Sequence, residues 1–376
     1  MDRPAGPTTA LNPPAVPLDK GDHRGWQERG ASPDYVRTSL AAAMVLGAAR
    51  GRFYRDVQLH CVNLLLTYPE GCAARCAYCG LSRSRLGDFD RKSFIRVEWP
   101  TLATEEVVER LARYQREVYR VCLSMVTHPR AYDDIVAIIC RLRERVDMPL
   151  SALIAPQLFD APRLAALREL GVDMVGIGLD AASERVFERT RGVGVRGPLS
   201  WGRYWQTMEG AREVFGPFRV NAHIMVGIGE SDADLVETFR RLRERQVSAY
   251  LFSFYPEEGS AMARRRKPSL VRFRRVQLVK YLLEKGEMGE GQISYNKEGR
   301  IVRLEVALSL LERAVATGEP FLTGGCPDRA GQLVCTRPFG SYRPGEPFRD
   351  FPFRPLEEDA VRIRKELRLE QLGGGR

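Results

Sequence analysis

Leu59-His60-Cys61-Val62-Asn63-Leu64-Leu65-Leu66-Thr67 runs, three residues later, into Gly71-Cys72-Ala73-Ala74-Arg75-Cys76-Ala77-Tyr78-Cys79-Gly80. The first stretch is a short apolar run, which reads as a buried strand. The second has the spacing C-x3-C-x2-C. Three thiolates on one tight loop can hold three corners of a cubane iron–sulfur cluster, leaving the fourth iron open to a small molecule. A zinc knuckle is the competing reading, but zinc sites usually pair two-residue spacings and need a fourth ligand.

Outward from this loop the chain alternates between strand-like and helix-like segments. Helical runs are expected over about Thr104 to Tyr114, Arg130 to Arg145, Ala161 to Leu170, Ser183 to Arg191, Trp201 to Val214 and Ser231 to Arg245. Strands are expected at Val118 to Val126, Pro149 to Ile154, Val172 to Leu179, Arg219 to Ile228 and Ala249 to Tyr255. With Leu59 to Thr67 that makes six strands separated by helices, a pattern that demands parallel pairing with right-handed crossovers. The fold class is therefore α/β, a partial or complete parallel TIM-type barrel with N- and C-terminal extensions. Active sites of such barrels cluster at the C-terminal ends of the strands, where the cysteine loop falls.

The organisation expected is a flexible leader over 1–31, an N-terminal helix within 32–58 opened by Ser32-Pro33, a barrel core over 59–286 and a C-terminal extension over 287–376. Within that extension a strand is expected in Ile293 to Leu304, helices over Val306 to Ala316 and Leu356 to Leu372, and a loop-rich stretch between. The leader is Pro-, Gly- and Ala-rich without sustained periodicity. No apolar run is long enough to span a bilayer, which points to a cytoplasmic protein without a membrane role. The net charge of +10 is carried mostly by arginines scattered over amphipathic helices. No aromatic-interleaved basic motif of a nucleic-acid-binding module is present, so the excess reads as a solvated surface.

Eight cysteines stand at 61, 72, 76, 79, 122, 140, 326 and 335. Clustered cysteines in a cytosolic chain point to metal or catalysis before disulfides. Cys140 lies within a helical pattern and reads as core. Cys61 and Cys122 read equally as buried apolar residues or as ligands. His223, on a strand, reads as a satisfied core histidine or as a group facing a substrate or cluster.

The cysteine loop, with its aromatic Tyr78 just before the last cysteine, resembles the radical S-adenosylmethionine (radical SAM) superfamily. In that superfamily the open iron chelates S-adenosylmethionine, and one electron releases a 5′-deoxyadenosyl radical. Gly178-Leu179-Asp180 and Val226-Gly227-Ile228-Gly229-Glu230 resemble strand ends of biotin synthase. That likeness implies Asp180 on a ribose hydroxyl, Gly227 and Gly229 letting the backbone approach the cofactor, and Tyr255 near the adenine. Glu230 reads equally as a cap on the following helix.

Cys122 matches one auxiliary-cluster cysteine of biotin synthase, whereas Ser151 to Leu153 and Asn221 stand near the positions of the other two. Toward the C-terminus, Thr323-Gly324-Gly325-Cys326-Pro327 and Cys335-Thr336-Arg337-Pro338-Phe339 resemble the two-component, archaeal-type lipoyl synthases. The likeness covers roughly residues 55 to 355. It implies a second iron–sulfur cluster on Cys326 and Cys335; two cysteines cannot hold a cluster alone, which leaves Cys61 and Cys122 as the remaining candidates and Ser341 as a candidate oxygen ligand. It further implies sulfur insertion into an octanoyl chain on a lipoyl-type carrier protein, a second radical SAM subunit, and an electron donor such as ferredoxin or flavodoxin. Two alternatives stand beside it. One is a radical SAM rearrangement, methylation or cyclisation of a small metabolite; the other is a zinc-binding protein without catalysis.

Overall fold

The computed structural model describes residues 30–85, 98–336 and 347–375. Ser341 and most of the expected leader lie outside these residues. The centre is an eight-stranded sheet. Its parallel run is β2 (Cys61–Leu66), β4 (Arg120–Ser124), β5 (Leu150–Ile154), β6 (Val172–Asp180), β7 (Val220–Val226) and β8 (Ser248–Ser253), hydrogen-bonded in that order. Two further strands, β1 (Tyr35–Thr38) and β3 (Thr101–Ala103), extend the sheet beyond β2 in antiparallel pairing. Since among the described residues β8 has no partner on its other side, the sheet is a partial barrel.

The helices between the parallel strands are α2 (Thr104–Arg113), α3 (Ala131–Arg145), α4 (Ala161–Glu169), α5 (Glu184–Thr190), α6 (Trp201–Phe215) and α7 (Asp232–Glu244). They cover the outer face, where Val62, Leu64, Val121 and Leu123 share one core with Ile135, Ile138, Ile139 and Leu142 of α3. The alternate residues turn inward. Asn63, Cys122, Ser151 and Met174 are register partners across four adjacent strands and so share the inner face.

The expected N-terminal helix starts later and is shorter than its pattern suggests. Residues 35–38 form β1, and the helix that follows covers only Leu40–Val45, capped by Ser39. An unpaired edge of β2 offers backbone partners that outweigh the weak helical pattern of residues 34–39. Cys140 also departs from expectation, since it is exposed. Its neighbours Ile138 and Ile139 face the sheet, and one more helical step of about 100° turns position 140 to the outside.

Beyond the barrel, α8 (Leu270–Lys285) is followed by an antiparallel pair, Ile293–Tyr295 and Ile301–Ala307, and a helix over Leu308–Thr317. The helix expected over Leu356 to Leu372 is split into Glu357–Leu367 and Leu369–Leu372, and Gly373–Gly375 adds a short parallel strand. Among the described residues no helix is long and apolar enough to cross a membrane.

Candidate active site

The cysteine loop leaves the C-terminal end of β2 and is held almost entirely by backbone. Cys72 N–H donates to Leu81 O and Arg83 N–H to Cys72 O, at 3.0 and 2.9 Å. Ala73 N–H donates to Thr127 O, beyond β4, and Ala77 N–H to Thr190 O, at the end of α5, both at 2.8 Å. Met262 N–H closes on Ala77 O at 3.0 Å. The loop is thereby tied to the segments that follow β4, β6 and β8.

Two sulfurs already accept backbone hydrogen bonds, Cys72 Sγ from Thr127 N–H at 3.3 Å and Cys79 Sγ from Leu81 N–H at 3.5 Å. Donors of this kind suit ligand sulfurs, whose charge they help to balance. Burial pushes the Cys72 and Cys79 thiols above their ordinary range, and the neighbouring sulfurs add to the rise. The Cys72 and Cys79 thiols therefore keep their protons until a cation replaces them. The donor set fits a [4Fe–4S] cluster with one iron left open.

Asp180 ends β6 with a φ of 59°. That left-handed conformation costs a non-glycine residue roughly 1–2 kcal/mol and turns the carboxylate over the mouth of the barrel. Tyr78 Oη donates to Asp180 Oδ2 at 2.5 Å, and Arg191 Nη1 stands 3.2 Å from the same oxygen. Arg191 also donates to Gly178 O, to Leu179 O and to Tyr204 Oη, and its guanidinium lies over the Phe187 and Tyr204 rings. The sequence did not single out Arg191, because nothing local distinguishes it from the other arginines. Its role arises only when the end of α5 folds back under β6. Arg85 is a second omission, donating to the Cys76 and Ala77 carbonyls inside the cysteine loop.

After β7 the turn Gly227-Ile228-Gly229-Glu230 has an internal explanation. Glu230 Oε1 accepts from Gly227 N–H at 2.7 Å, and its Oε2 accepts from Ile228 and Gly229 N–H, both at 2.9 Å. Arg272 Nη2 completes the buried carboxylate at 2.5 Å. Glu230 is thus not the cap of α7; Ser231 and Asp234 form that capping box. Gly227 and Gly229 have φ of 114° and 129°, which side chains rarely adopt. A Cβ at Gly227 would stand 2.7 Å from Pro268, and one at Gly229 would strike Arg189. The hydrogen-bonding groups of this turn are therefore spent inside the protein. Glu230→Gln should lower stability by about 1–3 kcal/mol, since the three turn N–H groups and Arg272 lose a charged acceptor, while Asp232 Oδ1 still holds Arg272 at 2.7 Å. Urea denaturation reads this directly, and an unchanged midpoint would refute it.

Tyr255 follows β8, its ring beneath Lys267 at 4.6 Å and Arg349 at 5.8 Å. His223 is buried on the inner face, with its ring centroid 5.0 Å from Phe252 and 6.1 Å from Tyr250.

A second group of cysteines lies nearer the N-terminal ends of the strands. Cys61, Cys122, Cys326 and Cys335 are all buried and form one cluster with Met174 and Tyr250, apart from the main core. The eight residues between Cys326 and Cys335 fold back on themselves, with Pro327 bridged to Leu333 and Cys335 N–H donating to Cys326 O at 3.2 Å. Gly325 is required here, because a Cβ would stand 2.0 Å from Cys335 O. The Cys61 thiol is pushed well above its ordinary range, first by its hydrogen bond with Cys335, then by burial and by the three other sulfurs. Asn221 Nδ2 donates to Cys326 Sγ at 3.8 Å. No disulfide joins any of the eight cysteines. Among the described residues no three His, Cys, Asp or Glu side chains already converge on a metal-sized point, and this holds for both cysteine groups.

Residues 66–242 match the family model described as the Radical SAM superfamily. No curated protein matches the chain. Similar solved structures include methylornithine synthase (PylB), 14% identical over 89% of this chain and 87% of that one, with a TM-score of 0.47. Another is the FeFe-hydrogenase maturase HydG from Carboxydothermus hydrogenoformans, 15% identical over 80% and 74% of the two chains, TM-score 0.47. A third is Streptococcus suis SuiB bound to S-adenosylmethionine, 16% identical over 61% and 49%, TM-score 0.43. Radical SAM proteins use a [4Fe–4S] cluster and S-adenosylmethionine and take electrons from reductants such as flavodoxin or ferredoxin. From the end of β2 through most of α7, with the three-cysteine loop and Asp180 inside it, the chain is thus similar to the radical SAM superfamily domain.

Proposed function

We propose that this enzyme activates an unreactive carbon with a 5′-deoxyadenosyl radical and then inserts sulfur from a second iron–sulfur cluster on Cys61, Cys122, Cys326 and Cys335. The substrate in this reading is an octanoyl chain on a lipoyl-type carrier protein. The observation that supports it is that Cys326 and Cys335 of the C-terminal loop share one buried cluster with Cys61 and Cys122 of the inner face, while the three-cysteine loop follows the opposite end of β2. Along β2 alone, five steps of about 3.3 Å put roughly 17 Å between Cys61 and the strand end that leads into the loop. A reacting carbon held between them has radical chemistry on one side and sulfur on the other.

When bound, the first cluster with S-adenosylmethionine supplies the radical and the second supplies sulfur. The chain's own residues do the holding. Cys72, Cys76 and Cys79 ligate the first cluster. Asp180, oriented by Tyr78 and Arg191, accepts from ribose hydroxyls, as carboxylates do in other nucleotide sites. The turn at Gly227 and Gly229 and the ring of Tyr255 border the rest of the cofactor. Inner-face residues, among them Leu153, His223 and Phe252, line the path between the two centres and exclude water from it. A second radical SAM subunit is part of this proposal, as in the two-component synthases.

One observation favours a second reading, radical chemistry on a small polar metabolite. Ser151 Oγ and Asn221 Oδ1 are buried without a hydrogen-bond partner among the described residues, and a polar substrate would satisfy them. Mass spectrometry of an octanoylated carrier peptide, incubated with reduced enzyme, S-adenosylmethionine and candidate partner subunits, decides between the two. A gain of sulfur is expected. Deoxyadenosine formed in quantity while the peptide mass stays unchanged would exclude sulfur insertion into that chain.

A further inference from the structure

Arg120 opens β4 and Asp173 is the second residue of β6, so the pair reaches across β5 at the N-terminal edge of the sheet. The contact is bidentate, Nη1 to Oδ1 and Nη2 to Oδ2, each at 2.6 Å. The remaining nitrogen, Nε, donates to Pro327 O at 2.6 Å. Pro327 directly follows Cys326. One guanidinium therefore binds the barrel on two nitrogens and the cysteine-bearing loop on the third. Its side chain is 0% exposed, whereas Asp173 is 35% exposed.

A buried ion pair is poor evidence of a stability role, because desolvation consumes most of what the attraction returns. Its location suggests another purpose. Arg120 is the register partner of Cys61 across β2 and β4, and its Nε holds the carbonyl of Pro327, the residue next to Cys326. The cation therefore stands beside the segments that carry those sulfurs. The potential of an iron–sulfur centre follows the net charge and hydrogen bonds around it.

We propose that Arg120, clamped by Asp173, is a positioning residue of the second cysteine group: it pins the Cys326–Pro327 backbone to the barrel and sets the charge against which a cluster there is reduced. This rests on the reading of Cys61, Cys122, Cys326 and Cys335 as cluster ligands.

The test uses the full chain, reconstituted anaerobically, with Cys72, Cys76 and Cys79 replaced by alanine so that only the second cluster titrates. EPR-monitored redox titration should place the Arg120→Gln cluster at a lower potential than the parent, since a cation is lost and Asp173 is left unopposed. Asp173→Asn should shift it the other way. A purely structural latch would not give opposite signs. Arg120→Lys keeps the charge but cannot bridge Asp173 and Pro327 together. It should leave the potential near the parent's while hydrogen exchange in residues 323–336 speeds up. Shifts of the same sign, or none, in Arg120→Gln and Asp173→Asn would overturn the proposal. If Arg120→Gln does not fold, Asp173→Asn decides alone: an upward shift supports the proposal, and an unchanged or lower potential ends it. Iron counts on Cys326→Ala/Cys335→Ala in the same background keep the two ideas apart, because iron retained there would mean the ligand reading itself had failed.

Discussion

A variant with Cys72, Cys76 and Cys79 all changed to alanine should fold, bind about four fewer irons per chain and release no 5′-deoxyadenosine from S-adenosylmethionine under reduction. The fold should survive because the loop is fastened by backbone groups of Cys72, Ala73, Ala77, Arg83 and Met262, none of which depends on sulfur. The backbone N–H groups of Thr127 and Leu81 donate to the Cys72 and Cys79 sulfurs, and these bonds are few beside the backbone ties of the loop. Each lost sulfur removes a small buried group, at a cost of about 1 kcal/mol by comparison with other small core truncations. The chemical effect is all-or-none by contrast, since no other cysteine lies on the loop to take over a corner. Iron and sulfide analysis, with chromatography of the reaction mixture, checks both halves. Deoxyadenosine at the parent rate would remove the basis of the assignment.

The second large effect is expected of Cys326→Ala/Cys335→Ala in the otherwise intact chain. Radical generation should persist near the parent level, because both residues lie at the far end of the strands from Cys72, Cys76 and Cys79. The iron and sulfide of the second centre should be missing, and no sulfur should reach the product. Cys61 and Cys122 alone offer two ligands, too few to retain a cluster of their own. Removing the Cys335 thiol also takes away the hydrogen bond that does most to raise the Cys61 thiol, so Cys61 should become easier to alkylate in the unloaded variant. Metal content equal to the parent's, with product formed as before, would show these four sulfurs to be ordinary buried side chains.

The two cysteine groups also show where sequence is a sufficient guide. The parallel strands were legible because each is a short apolar run bounded by turn residues, and the register of a buried strand follows from its apolar positions. The three-cysteine loop was legible because all its ligands share one short segment. The second group could be drawn up as a set of candidates from the sequence, but only the inner-face register of β2 and β4 and the fold-back at Gly325 bring its members together. The roles of Arg191, Arg120 and Glu230 were hidden for a common reason. Each depends on partners distant in sequence or on a turn conformation, and an arginine or glutamate in isolation looks like one more surface charge. The β1 strand was missed because its structure comes from a neighbour's edge and not from its own pattern. Cys140 was misplaced by a single helical step.

The fold-back over Cys326 and Cys335 has a bearing on how the molecule is made. The three cysteines of the Cys72 to Cys79 loop lie within eight residues and emerge from a ribosome together. The sulfurs of β2 and β4 must wait more than two hundred residues for their counterparts to emerge, and ring closure over so long a tether comes late. On the proposed reading of the two cysteine groups, the ligands of the two centres would therefore be assembled at different stages of synthesis.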